Sequence, residues 1–157
     1  MLLHLLPITH TAVIPESYLD DMGHMNVMWY THLFSCATIG FFQQFGLTRE
    51  YFKSHHAGSF ALEHHVRYLA EVRLGQRVTL RTRALGRSAK RLHFMHFMVR
   101  GDGHVLSATG EFVGTHIDMR TRRSSPFPLA IAEAYDGFLH QHSRLDWEAP
   151  LCGVMKP

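Results

Sequence analysis

Residues 27–45 form the longest apolar stretch of the chain, and as a helix they would span about 28 Å, the width of a small domain. Val27, Met28, Trp29, Tyr30, Leu33, Phe34, Ile39, Phe41, Phe42 and Phe45 leave no wholly polar face, which predicts a helix enclosed by protein. Thr31, His32, Ser35, Thr38, Gln43 and Gln44 punctuate it and argue against a membrane span. Gly46 is a natural stop. A chain of 157 residues that commits so much length to one apolar rod has room for one domain, whose remaining segments must wrap it.

The run Asp20-Asp21-Met22-Gly23-His24-Met25-Asn26 leads into that rod. Asn26 is a favoured N-cap, so the first backbone N–H groups of the helix and its positive dipole end face whatever Asp20 faces. A carboxylate beside a helix N-terminus pairs a base or nucleophile with an oxyanion site. Spacing alone favours the plainer role, in which Asp20 stabilises the helix start.

The wrapping is β-structure. Residues 8–14 read as a short strand ended by Pro15. Residues 59–72 alternate strictly, with Phe60, Leu62, His64, Val66, Tyr68, Ala70 and Val72 on one face and Ala61, Glu63, His65, Arg67, Leu69 and Glu71 on the other. Residues 76–85 alternate Val78, Leu80, Thr82 and Ala84 with Arg77, Thr79, Arg81 and Arg83, giving a basic outer face. Residues 90–100 and 104–119 flank Gly101-Asp102-Gly103 as a hairpin. Residues 120–128 are a basic, Pro-containing linker, and 129–142 carry Ile131, Ala134, Tyr135, Phe138 and Leu139 at helical spacing. The fold class is α+β, with an antiparallel sheet of about five strands around one long helix. A domain over 1–128 carries a C-terminal helix and tail, 129–157, packed on it.

Composition sets bounds on partners. Eleven Phe suggest a large apolar interior or pocket, and a net charge of +3 with His neutral does not mark a general nucleic-acid or membrane binder. Eight of the sixteen basic residues nonetheless fall between Arg67 and Arg91, against the single acid Glu71. Tyr68 is the only aromatic among them, too few for a base-stacking surface. Cys36 and Cys152 give neither a disulfide framework nor metal-ligand spacing, and the N-terminus has no basic segment before its short apolar run, so a reducing, cytoplasmic setting without a signal peptide is expected. Fourteen His include no His-Glu-x-x-His; His93 and His96 fall on opposite faces of one strand, so no metal is expected.

Asp20, Gly23-His24-Met25-Asn26, Phe60-Ala61-Leu62-Glu63, His65-Val66-Arg67-Tyr68-Leu69, Lys90-Arg91-Leu92-His93 and Ser107-Ala108-Thr109-Gly110-Glu111 together resemble the hotdog-fold acyl-CoA thioesterases of the 4-hydroxybenzoyl-CoA thioesterase type. Among these, the chain is most similar to the carnitine-catabolism versions proposed to act on betainyl-CoA. The resemblance covers residues 8–128. It implies a hotdog fold, a homodimer or dimer of dimers with acyl-CoA lying across the subunit interface, and no cofactor beyond the coenzyme A of the substrate. It selects Asp20 over Asp21 as the catalytic carboxylate, by its distance from Gly23, and the Val27 backbone N–H as the group polarising the thioester carbonyl, with His24 and Asn26 shaping the turn.

A thiol with a pKa near 8.5 leaves readily as thiolate, so the tetrahedral oxyanion is the harder demand. Asp20 would deprotonate water or attack the carbonyl itself. Glu63 is a candidate base or water-orienting group, balanced against a solvated strand face, and His65 shares its face. Arg87, Lys90 and Arg91 after Gly86 would hold the coenzyme A phosphates, or are solvated strand-end charges. Trp29, Tyr30 and Tyr68 are core residues or line the acyl pocket, where a ring would hold a quaternary ammonium. Two rivals remain: a hydratase or dehydratase, which would need a His paired with an acid that the sequence does not display, and a non-catalytic acyl-CoA-binding module.

Overall fold

A computed structural model describes residues 1–101 and 104–157. The elements follow the order β1 (Ile8–Val13), α1 (Val27–Gln43), α2 (Arg49–Ser54), β2 (Ala57–Tyr68), β3 (Arg77–Arg87), β4 (Arg91–Arg100), β5 (Val105–Asp118), β6 (Arg123–Ser124) and α3 (Leu129–His142). The strands form one sheet in the order β1-β3-β4-β5-β2, with the short β6 on β5. The pairing of β4 with β5 agrees with the expected hairpin, although Asp102 and Gly103 of its turn lie outside the described residues. No helix is long and apolar enough to cross a membrane among the described residues.

Four boundaries differ from the pattern-based expectation. Helix α1 stops at Gln43, because Leu47 N–H returns to the Phe42 carbonyl (3.0 Å) around Gly46, whose φ of 95° only glycine adopts freely. Strand β2 stops at Tyr68, because the next two amides, Leu69 and Ala70, both turn to the Ser107 carbonyl (2.8 and 3.1 Å). The connection before β2 contains a helical turn, α2, capped by the Thr48 hydroxyl on Tyr51 N–H (3.1 Å). The linker at 120–128 contains β6.

Contacts divide the chain into two compact units: 1–41, 66–82 and 96–110 form one, and 42–65, 83–95 and 111–157 the other. In the first, Leu33, Phe34, Ala37 and Phe41 of α1 are buried together with Val78 and Leu80 of β3. Helix α1 approaches β1 closely enough that a Cβ on Gly40 would stand 1.9 Å from the Thr9 carbonyl oxygen. The second unit is an aromatic cluster in which Phe42 meets Phe45 and Phe94, Phe94 stacks on Phe112, and Phe45 meets Tyr135 of α3 at ring separations of 5.2–5.9 Å. The abundance of Phe is thus spent on a core.

Helix α1 is not enclosed by this chain. Val27 (58% exposed), Met28 (60%) and Ile39 (58%) lie with Thr31, His32 and Ser35 on an uncovered stripe. Apolar character on every face does not reveal whether one chain supplies the whole enclosure. Strand β2, at the end of the sheet order, is likewise exposed over most of its length.

Candidate functional site

The turn ahead of α1 is built by its own backbone. Asp20 N–H donates to the His24 carbonyl and Gly23 N–H to the Asp20 carbonyl, each at 3.0 Å, with Gly23 at φ 79°. The Asp20 carboxylate accepts the Met22 N–H (3.0 Å) through Oδ1, and its Oδ2 lies 3.4 Å from His24 Nδ1. Met25, 2% exposed, anchors the turn by donating its N–H to the Val72 carbonyl (2.7 Å).

Asn26 is the N-cap: its Oδ1 accepts the Met28 N–H (3.0 Å), its carbonyl accepts the Trp29 N–H (3.0 Å), and its own N–H is held by the Tyr18 carbonyl (2.9 Å). Val27, the first helical residue, has no partner for its N–H among the described residues. It opens on a cleft of about 360 Å³ that is also lined by His24, Met25, Tyr30, Tyr68, Leu69, Ala70 and Glu71. Tyr30 and Tyr68 meet edge to face at 5.0 Å. Burial pushes the Tyr30 phenol above its ordinary pKa, so it stays a neutral donor. The bond from Arg73 to Glu71 (2.9 Å) holds the Glu71 carboxyl below the usual range, so the cleft rim carries an ionised Glu71–Arg73 pair.

Of the residues singled out from sequence, His24, Val27, Tyr30 and Tyr68 line this cleft, the Asp20 carboxylate lies 3.4 Å from His24, and Asn26 caps the helix start. Trp29 is turned away from it and stacks on Tyr18 at 3.7 Å. Glu63, His65, Arg87, Lys90 and Arg91 belong to the other unit. There Glu63, His65, Lys90 and Arg91 are exposed. Arg87 departs from the phosphate-binding role: its guanidinium is already spent on a bidentate pair with Asp136 (2.6 and 2.5 Å).

Sequence reasoning missed Glu71 as a cleft residue by continuing β2 through 72. The available signal was Leu69, an apolar residue in the polar row of the alternation. It also missed a His–acid pair: His93 Nε2 lies 2.8 Å from Glu111 Oε1, and both are buried. That pair joins two strands, so no spacing within one strand discloses it. Neither member lines the Val27 cleft.

Comparison with known proteins agrees with this organisation. The model of the thioesterase-like superfamily matches residues 14–135. The L-carnitine dehydrogenase/betainyl-CoA thioesterase of Agrobacterium fabrum is 34% identical over 90% of this chain, which spans only 28% of that longer protein. The betainyl-CoA thioesterase of Pseudomonas aeruginosa is 32% identical over 86% of this chain and 84% of its own length. A Staphylococcus aureus protein solved in complex with CoA superposes with a TM-score of 0.83 at 26% identity, covering 91% of this chain and 90% of that one. The sheet order and the single long helix are those of the hotdog fold seen in such neighbours. By sequence and by fold, the chain belongs to the thioesterase-like superfamily.

Proposed function

We propose that the protein hydrolyses an acyl-CoA thioester to a carboxylic acid and free coenzyme A. The observation that carries this reading is that Val27, at the Asn26-capped start of α1 and with no N–H partner among the described residues, lines a cleft together with His24, which lies 3.4 Å from the Asp20 carboxylate. A thioester carbonyl oxygen placed there accepts the Val27 N–H. As the carbonyl carbon becomes tetrahedral, that donor and the helix dipole stabilise the negative oxygen, by about 3 kcal/mol for one such donor. Asp20 either takes a proton from the attacking water or attacks the carbonyl carbon to give an anhydride that water then opens; in both routes the C–S bond breaks and coenzyme A leaves as thiolate.

The cleft chemistry favours a cationic acyl group. Two tyrosine rings at right angles and a carboxylate beyond them suit a quaternary ammonium, and the betainyl-CoA thioesterases among the relatives support that substrate class. The uncovered stripe on α1 and the bare edge at β2 support a homodimer, in which exposed Glu63 and the Lys90 and Arg91 cations reach a site composed by two chains. Lys90 and Arg91, rather than Arg87, then meet the coenzyme A phosphates.

Free thiol release from betainyl-, short aliphatic and aromatic CoA thioesters tests the reading: turnover is expected and greatest with the cationic acyl group. The His93–Glu111 pair supports the hydratase alternative, which would instead consume an enoyl-CoA without releasing thiol. Sedimentation as a monomer at assay concentration would contradict the two-chain site.

A further inference from the structure

We propose that His65, Glu111 and Cys152 form a zinc-type metal site that clips the C-terminal tail to β2 and β5. One ligand atom from each, an imidazole nitrogen, a carboxylate oxygen and a thiol sulfur, lies within 4.8 Å of the other two. Ligands at zinc bond lengths in a tetrahedral array stand about 3.5 Å apart, so small side-chain rotations close the set.

Three features set this cluster apart from a chance meeting of polar groups. Glu111 is a carboxylate only 1% exposed, whose ion-pairing partner among the described residues is the His93 ring rather than a Lys or Arg. A charge so buried is normally compensated by a cation or a metal. Its oxygens are oriented by the His93 ring (Nε2, 2.8 Å) and by Cys152 N–H (2.7 Å), and each keeps a lone pair. This is the hydrogen-bonded outer layer that fixes a ligating carboxylate. The strand register is also right: His64 stacks on Phe112 on one face, so alternation puts His65 and Glu111 together on the other face of the neighbouring strands. A donor set of one nitrogen, one oxygen and one thiolate selects zinc-like ions over magnesium or calcium, and leaves a fourth position for water. The three ligands come from two strands and the tail, which spacing along any single element conceals.

The test is metal binding by the full chain. Equilibrium dialysis against Zn2+ is expected to leave one ion per chain, with affinity reduced at least tenfold in Cys152→Ala and in His65→Ala. His93→Gln, which loosens the carboxylate without removing a ligand, is expected to weaken binding about 10–100-fold. Co2+ in place of Zn2+ should give a thiolate-to-metal band in the near ultraviolet that survives Cys36→Ala and is lost in Cys152→Ala. If a variant does not fold, alkylation of the wild-type chain decides the matter: bound Zn2+ should protect Cys152 and not Cys36. Wild type that retains no zinc, a cobalt band unchanged by Cys152→Ala, or equal alkylation of Cys152 with and without Zn2+ would overturn the assignment.

Discussion

The Asn26 side chain accepts the Met28 N–H at 3.0 Å, and Val27 between them lines the cleft. One side chain therefore fixes the helix start beside the cleft. Asn26→Ala should cost about 1 kcal/mol of stability and lower kcat more than it raises KM, because an aimed oxyanion donor acts mainly on the transition state. Asn26→Ser, which restores a cap, should recover most of both. Urea melts alongside thiol-release kinetics check this; an Ala variant with unchanged kcat would separate the cap from the chemistry.

Glu71 lies on the cleft rim with Tyr68, and Arg73 keeps it ionised. Glu71→Gln should raise KM for a trimethylammonium-bearing acyl-CoA several-fold and leave KM for a neutral acyl group of similar size nearly unchanged. Tyr68→Leu should show the same selectivity, at about 0.5–2 kcal/mol for a lost cation–π contact. An equal loss on both substrates would indicate damage to the cleft rather than loss of a cation site.

Gly40 sits where a Cβ would meet the Thr9 carbonyl oxygen at 1.9 Å. The obstacle is backbone, so no side-chain rotation relieves it. Gly40→Ala should destabilise the fold by about 3 kcal/mol, the upper part of the overpacking range, despite alanine's better helix propensity. A thermal melt checks this; an unchanged or raised Tm would mean that α1 and β1 do not approach as described.

His96 is wholly buried between hydroxyls. Its Nε2 lies 2.9 Å from Thr38 Oγ1 and its Nδ1 2.7 Å from Thr82 Oγ1. Both ring nitrogens are hydrogen-bonded, and burial lowers its pKa from 6.5 to about 3. Burial likewise lowers that of His142, with the Arg83 cation adding to the effect, to about 4. The unfolded chain binds these protons more readily, so their stabilising contribution is complete above pH 6.5 and is lost as pH falls from 6.5 toward 3. His96 alone should remove roughly 1.4 kcal/mol per pH unit within that window. Urea melts between pH 7.5 and 4.5 should show the decline, and His96→Gln should flatten it by about one proton's worth. An undiminished slope in that variant would contradict the assignment.

Periodicity in the sequence disclosed those parts of the fold that one element determines by itself: the strand alternation, the extent of α3, the hairpin partners, and the Asn26 cap. What escaped it depended on partners distant in the chain. The end of β2 is set by the Ser107 carbonyl, which collects two successive amides, and that end in turn places Glu71 at the cleft. Arg87 looked available among its basic neighbours until the fold placed Asp136 on it, and the His93–Glu111 pair exists only across paired strands. The motif singled out Asp20, while the residue of that turn that lines the cleft is His24, 3.4 Å from the Asp20 carboxylate.

The most direct measurement is thiol release from betainyl-CoA by wild type and Asp20→Asn, with folding of both verified by circular dichroism. Removing a positioned base or nucleophile should lower kcat by about 10²–10⁴, with the melt little changed. Asp20→Asn that turns over as fast as wild type, or wild type that releases no thiol from any acyl-CoA, would contradict the account.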